Sequence, residues 1–172
     1  MRFNVAQLLK SNPGTSKEYE LDEDIAGIDE ELDVAGPLTG KVRLLRTDNG
    51  ILVTGRLHTE VRVPCRRCLT PVTLAVKAQL EEQFRPSVDV FTGTAIAVED
   101  GEDEVTRMDG RHILDLTEVI RQNLVLATPV SPLCTPDCRG LCPNCGANLN
   151  EEPCSCQREE SDPRLAVLGE LL

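Results

Sequence analysis

"TGKVRLLRTDNGILVTGRLHTEVRV", residues 39–63, decides the fold. Two β-rich runs flank Asn49-Gly50, a dipeptide that tolerates the positive φ angles of a tight hairpin turn. In the second run Ile51, Val53, Leu57, Val61, Val63 and Cys65 fall on one face, while Thr54, Arg56, His58, Glu60 and Arg62 fall on the other. The run is long for one strand, so a bend or a break is expected near Gly55. "PVTLAVKAQLEEQF", residues 71–84, alternates again through Val72, Leu74, Val76, Ala78 and Leu80. These segments predict an α+β protein: an antiparallel β-sheet or partial barrel with one buried and one basic face, plus a few helices.

"FNVAQLLK" has helical spacing and is stopped by "NPG", which predicts a short N-terminal helix. Nine Asp or Glu lie between Glu18 and Asp33, and Leu21, Ile25, Ile28 and Leu32 are too sparse among them to suggest a core, so this stretch reads as a solvated edge. Residues 85–110 mix Pro, Gly and Thr with "VEDGEDEV" and are expected to form an acidic loop. "DLTEVIRQNLVLATP" is the clearest helix. Asp115 is its predicted cap, Glu118 completes a capping-box spacing, Leu116, Val119, Ile120, Leu124 and Val125 form its apolar face, and Pro129 ends it. A final helix is expected from "SDPRLAVLGELL", with Pro163 in its first turn. The expected organisation is a core domain over 1–129 and a cysteine-rich tail with its helix over 130–172.

The chain has 172 residues, a net charge of −11 and only 2% aromatics, so its core must come from Val, Leu, Ile and Ala. That charge argues against nonspecific nucleic-acid binding. Its distribution is uneven, however: between Lys41 and Arg67 seven basic residues meet only Asp48 and Glu60. No apolar run suits a signal peptide or a membrane span, which gives the expectation of a cytosolic protein with reduced thiols.

In that setting "CTPDCRGLCPNCGANLNEEPCSC", residues 134–156, reads as a metal site. Cys142-Pro-Asn-Cys145-Gly146 has the form of a zinc knuckle, with two thiolates on a tight turn and a glycine that lets backbone N–H groups face the sulfurs. Zinc takes four ligands and six cysteines are offered here. Cys154 and Cys156, or Cys134 and Cys138, could complete the set with Cys142 and Cys145, and a two-metal cluster with bridging thiolates is a further option. Cys65 and Cys68, in "VPCRRCLTPV", are an additional candidate pair: the eight cysteines would fill two four-ligand sites, one of them shared between this pair and the cluster. The rival reading of Cys65 and Cys68 is a strand-end turn with small side chains filling the core.

Other chemistries fit less well. Cys138-x3-Cys142-x2-Cys145 has the spacing of an iron–sulfur motif in radical enzymes, but those require a large α/β barrel. A rubredoxin-like iron centre would suit Cys142-Pro-x-Cys145-Gly but normally pairs it with a second C-x2-C knuckle, for which the chain offers Cys65 to Cys68, and a thiol-redox device would want its C-x2-C at a helix N-terminus after a strand. Catalytic zinc is not expected, because the cluster is all sulfur and neither His58 nor His112 is near it in sequence. No phosphate-binding glycine loop or nucleophile motif is present.

"VPCRRCLTPV", "HILDLTEVIRQNLVLATPVSPLC", "CRGLCPNCGANLN" and "DPRLAVLGEL", in that order, resemble the YceD family of large-ribosomal-RNA-subunit accumulation proteins from about residue 35 onward. The resemblance implies a bacterial or plastid protein needed for 23S rRNA accumulation, as an assembly or processing factor and not as an enzyme. It places the family motif on Cys65, Arg67 and Cys68, on Asp115 and Leu116, and on Asp162, Pro163 and Arg164. Because some members lack the C-terminal cysteines, it also implies that the metal stabilises the tail. The basic face would then meet 23S rRNA or a large-subunit precursor through Arg56, Arg62, Arg66 and Arg67. The alternative is an acidic adaptor that docks a basic ribosomal protein.

Overall fold

The computed structural model describes residues 1–97 and 103–156. The final helix, with Asp162, Pro163 and Arg164, lies outside the described residues. The elements are β1 (Arg2–Asn4), α1 (Ala6–Leu9), β2 (Ser16–Glu23), β3 (Asp33–Val34), β4 (Leu38–Thr47), β5 (Gly50–Pro64), β6 (Pro71–Pro86), a 3₁₀ turn (Glu104–Thr106), β7 (Arg107–Met108), β8 (Ile113–Asp115) and α2 (Thr117–Ala127). The main sheet runs β2-β4-β5-β6-β7 with β3 added on β5, and β1 pairs with β8 in a second sheet. The β2–β4, β4–β5, β3–β5 and β1–β8 pairs are antiparallel, and β6–β7 is parallel. The architecture is α+β, as the sequence suggests. The chain forms two compact units, Met1–Val63 with Val72–Val130, and Pro64–Pro71 with Ser131 onward. Among the described residues no helix is long and apolar enough to cross a membrane.

Alternation builds the first unit. Leu38, Val42 and Leu44 of β4, Ile51, Val53, Leu57 and Val61 of β5, and Val76, Ala78, Leu80 and Phe84 of β6 are buried in one cluster with Leu114, Leu116, Val119, Ile120 and Leu124. The opposite faces of β4 and β5 carry Lys41, Arg43, Arg56, His58, Glu60 and Arg62, all exposed.

Four expectations change in detail. Thr47 pairs with Gly50, so the two-residue loop is Asp48-Asn49, and neither residue has positive φ. Gly50 is needed for a different reason: a Cβ there would lie 2.0 Å from the carbonyl oxygen of Phe84. β5 is also unbroken for 15 residues. Gly55 lets β4 come close, since its Cβ would meet the Lys41 carbonyl and Val42 Cγ1 at 2.8 Å each. The N-terminal helix is one turn long, because Phe3 and Asn4 are drawn into strand pairing with Leu114 and Ile113. The acidic stretch is an edge strand, yet Leu21, Ile25 and Leu32 are buried in the core. Leu21 faces inward by the alternation of β2, and beyond the strand the Asp24 and Asp29 side chains accept from the Ala26 and Glu31 N–H groups, forming turns next to the buried Ile25 and Leu32.

α2 begins at Thr117. Asp115 Oδ1 accepts from Thr117 N–H at 3.0 Å and from its hydroxyl at 2.6 Å, while Oδ2 accepts from Arg2 Nε at 2.7 Å. Glu118 does not close a capping box: it pairs with Arg121, which also reaches Asp29 at 2.6 Å. Val125, expected on the buried face, is 45% exposed, because the stripe that meets the core runs through Val119, Ile120, Leu124 and Ala127 and leaves Val125 on its flank. The described parts of 85–110 hold a turn in which Asp89 accepts from the Phe91 and Thr92 N–H groups.

Two outcomes follow from this packing. Gly50→Ala should cost about 2–3 kcal/mol of unfolding free energy through the clash with Phe84, whereas Gly36→Ala, whose Cβ meets Glu60 at an ordinary 3.6 Å, should stay within about 0.5 kcal/mol; denaturant midpoints check both. For Asp115, burial disfavours the charged form, but the Thr117 hydroxyl, Arg2 and the Thr117 N–H outweigh it and hold the carboxyl down at about 2. A depressed folded pKa means that this stabilisation is complete above about pH 4 and is lost as pH falls through about 2. With the carboxylate 38% exposed, screening limits it to about 1 kcal/mol, and Asp115→Asn should flatten that part of the acid stability profile.

Candidate metal centres and the charged sheet face

Both cysteine centres belong to the smaller unit. Between β5 and β6 the chain turns sharply: Cys65 N–H donates to the Thr70 carbonyl at 2.9 Å, and Leu69, in left-handed conformation at φ 60°, donates its N–H to the Cys65 carbonyl at 2.9 Å. The Arg66 N–H donates to the Pro132 carbonyl at 2.8 Å, and Arg67 Nη1 donates to the Cys138 carbonyl at 2.8 Å. These bonds hold the 134–138 segment against the 65–68 turn. As a result Cys65 and Cys138 Sγ lie 3.8 Å apart, Cys68 and Cys134 Sγ lie 3.5 Å apart, and all four sulfurs are within 4.8 Å of one another. A tetrahedral zinc with bonds of about 2.3 Å sets sulfur–sulfur separations of about 3.8 Å. Cys65, Cys68 and Cys138 are buried.

The second centre is Cys142, Cys145, Cys154 and Cys156, with the same 4.8 Å limit. Cys142 N–H donates to the Ala147 carbonyl at 2.8 Å, Gly146 N–H returns to the Cys142 carbonyl at 2.9 Å, and Gly146 takes φ 73° to do so. A bridge between Leu141 and Asn148 closes this knuckle. Cys142 is buried while Cys145 and Cys156 are exposed.

Electrostatics within each centre is uneven in a revealing way. Backbone N–H groups of Cys68 and Arg67 bring the Cys65 thiol down to about 6, against the opposing effect of burial. Those of Cys145 and Asn144 do the same for Cys142, also to about 6. Sulfur neighbours act the other way: Cys138 and Cys68 push Cys134 up to about 12, and Cys145 with burial pushes Cys156 to about 12. Four crowded sulfurs cannot all be thiolates without a cation to take their charge. Two cysteine clusters of four are therefore present that could hold a metal ion each.

The six cysteines close in sequence are thus divided in space. Cys134 and Cys138 stand with Cys65 and Cys68, and Cys154 and Cys156 stand with Cys142 and Cys145. The iron–sulfur spacing dissolves, since Cys138 is in a different centre from Cys142 and Cys145. His58 lies on the exposed face of β5, and His112 sits in a turn at φ 59°; neither is in a cysteine centre. Asn150 was not visible as a site residue: its Nδ2 donates to Cys138 Sγ at 3.3 Å. The only signal was the Asn148-x-Asn150 pattern of a side-chain turn, in which Asn148 Oδ1 accepts from the Asn150 N–H at 3.1 Å.

The basic residues are dispersed and largely engaged. A shallow groove of about 620 Å³ crosses the exposed sheet face between Lys41, Arg43, Arg56 and His58, with Glu18 and Glu81 at its margins. Lys41 is paired with Glu20 at 2.7 Å, Arg43 donates to Ser16 at 3.1 Å, and Arg62 is paired with Asp33 at 3.2 Å. Arg46 is structural, donating to the carbonyls of Leu9, Thr47 and Gly50. In the smaller unit Arg66 donates to Ser131 Oγ, and Arg67 is committed to Cys138. Arg56 is exposed on the face opposite the core.

The family model described as "Large ribosomal RNA subunit accumulation protein YceD" matches residues 53–172. An uncharacterized protein of Mycobacterium tuberculosis is 39% identical over 131 residues, 76% of this chain and 60% of its own length. An uncharacterized protein of Mycobacterium leprae is 30% identical over 140 residues, 79% of this chain and 59% of its own. A protein of Arabidopsis thaliana named large ribosomal RNA subunit accumulation protein YCED homolog 1, chloroplastic, is 40% identical over 58 residues, 34% of this chain and 18% of its own. The chain thus spans about 60% of the length of the mycobacterial relatives. No solved structure matches it. With a family match that covers β5 from Val53 onward and every cysteine of the two centres, the chain belongs to the YceD family of large ribosomal RNA subunit accumulation proteins.

Proposed function

We propose that the chain is a non-enzymatic factor for large-subunit biogenesis in the cytoplasm, stabilised by two zinc ions, that supports 23S rRNA accumulation by contacting rRNA or a pre-ribosome. The observation that carries the zinc assignment is the make-up of the smaller unit. Among its described residues, the buried hydrophobic side chains are Cys65, Cys68, Cys138 and Cys142 and no others. With no aliphatic core among those described residues, metal–thiolate bonds would supply their folding free energy. Soft sulfur donors in tetrahedral sets of four select zinc. A closed set of four thiolates leaves no position for substrate or water, which supports a structural role.

The family name printed for the match and for the Arabidopsis relative supports the tie to large-subunit rRNA. Arg56 and Arg62 are the contacts on the sheet face, and Arg66 is a separate contact on the smaller unit. Arg67 was grouped with these, but its bond to the Cys138 carbonyl supports a first duty in holding the metal centre. A second reading, an acidic adaptor docking a basic ribosomal protein, is favoured by the pairing of Lys41 with Glu20 and of Arg62 with Asp33, which leaves less free positive charge for RNA.

Purified protein should carry two zinc ions per chain by elemental analysis, and Cys65→Ser and Cys142→Ser should each lower that content; a wild-type protein without zinc would remove the assignment. On ribosome gradients wild type should travel with large-subunit precursors and Arg56→Glu/Arg62→Glu should shift toward the top with zinc content intact. Arg67→Glu should lose metal as well as association. Retained co-sedimentation of the double variant, with salt-sensitive capture of basic ribosomal proteins, turns the reading to the adaptor.

A further inference from the structure

The two cysteine centres are connected through named hydrogen bonds. Asn150 sits in the loop between Cys145 and Cys154, which the second centre closes when its four sulfurs converge. Yet its amide points to the first centre: Nδ2 donates to Cys138 Sγ at 3.3 Å, and Oδ1 accepts from the Arg139 N–H at 2.7 Å. Its own position is fixed from within the loop, where Asn148 Oδ1 accepts from both the Asn150 N–H and Asn150 Nδ2, at 3.1 Å and 2.9 Å. Leu149 N–H donates to the Gly140 carbonyl at 2.9 Å, tying the loop to the link between Cys138 and Cys142. A second connection runs the opposite way. The Arg67 carbonyl, inside the first centre's Cys65–Cys68 turn, accepts from Leu141 N–H at 3.2 Å, next to Cys142 of the second. Gly140 allows that approach, because a Cβ there would lie 3.1 Å from the Arg67 carbonyl oxygen.

From this arrangement we infer that the two centres bind metal cooperatively, with Asn150 as the positioning residue that carries the effect: metal at Cys142, Cys145, Cys154 and Cys156 orders the loop that presents the Asn150 amide to the Cys138 sulfur of the other centre. An N–H···S bond withdraws charge from a crowded thiolate and fixes its direction toward the metal, which is how outer hydrogen bonds set metal affinity. Binding at either centre lowers the ordering cost of the other, and the coupling is reciprocal by linkage. This rests on the metal reading above, and the experiment separates the two.

The test is titration of metal-free, reduced full chain with Co²⁺ against a competing chelator, read by thiolate-to-cobalt absorption, with ¹¹³Cd NMR to resolve the two centres. Asn150→Asp keeps an acceptor for the Arg139 N–H and replaces the amide donor by a carboxylate beside sulfur. It should shift the ¹¹³Cd resonance of the Cys65/Cys68/Cys134/Cys138 centre and weaken that centre about 10- to 100-fold. Cys142→Ser/Cys145→Ser should weaken or abolish metal binding at the same centre, and Cys65→Ser/Cys68→Ser should weaken the other by the same factor. Wild type that takes up no metal, or one ion only, removes the metal reading and this inference together. Wild type that takes up two, with the first centre's affinity changed less than about threefold by Asn150→Asp and by loss of the second centre, overturns the cooperativity alone.

Discussion

Four sulfurs held within 4.8 Å of one another cannot all ionise without a cation to take their charge. Ionised, they repel; protonated, they are weak donors that leave little to hold a turn in place. The backbone already leans toward the ionised form, since N–H groups of the Cys65–Cys68 turn face Cys65 and those of the Cys142–Cys145 knuckle face Cys142. A divalent cation would resolve the conflict by taking the charge that these amides invite. Among the described residues of the smaller unit, the left-handed Leu69, the Arg67 side chain on the Cys138 carbonyl, and Gly140 packed against the Arg67 carbonyl hold the chain in the form that brings these sulfurs together.

The larger unit solves its stability problem in the ordinary way. β4 and β5 supply alternating aliphatic side chains in register, and β6 with α2 completes the same buried cluster. Because aromatics are scarce, close backbone approach replaces bulk: Gly55 brings β5 onto β4, and Gly50 brings the hairpin start onto Phe84, one of only three phenylalanines. The glycine positions are therefore packing residues as much as turn residues. The division between a unit with an aliphatic core and a unit built on two cysteine clusters accounts for a chain that has both strict alternation and eight cysteines.

Strict alternation is a local signal, and it made β4, β5 and β6 legible, as the periodic apolar face did for α2 up to Leu124. What escaped depends on partners distant in sequence. Phe3 and Asn4 read as helix because nothing near them announces Leu114 and Ile113 as strand partners. Leu21, Ile25 and Leu32 read as solvated because the carboxylates around them hide the pairing of β2 with β4, which buries Leu21, and the Asx turns at Asp24 and Asp29 beside Ile25 and Leu32. The cysteines show the same boundary. Knuckle form identified Cys142 and Cys145 from local spacing, but the division into fours needs the 66-residue separation between Cys68 and Cys134 to be closed, and local spacing does not encode that.

The charge pattern bears on how such a chain would meet RNA. Arg56 lies on β5, two strands from the acidic row Glu18, Glu20 and Asp22 on β2, a separation of about 10 Å. That is close to the Debye length of about 8 Å in physiological salt. The acidic edge is then partly screened from the arginines in the cell but not in dilute buffer, where the field of a molecule of net charge −11 opposes approach to phosphate. A basic protein partner meets the opposite field and is attracted most strongly in dilute buffer. The two modes of contact therefore differ in their long-range term: for RNA, added salt first relieves repulsion before it weakens the arginine contacts, whereas for a basic protein it weakens attraction throughout.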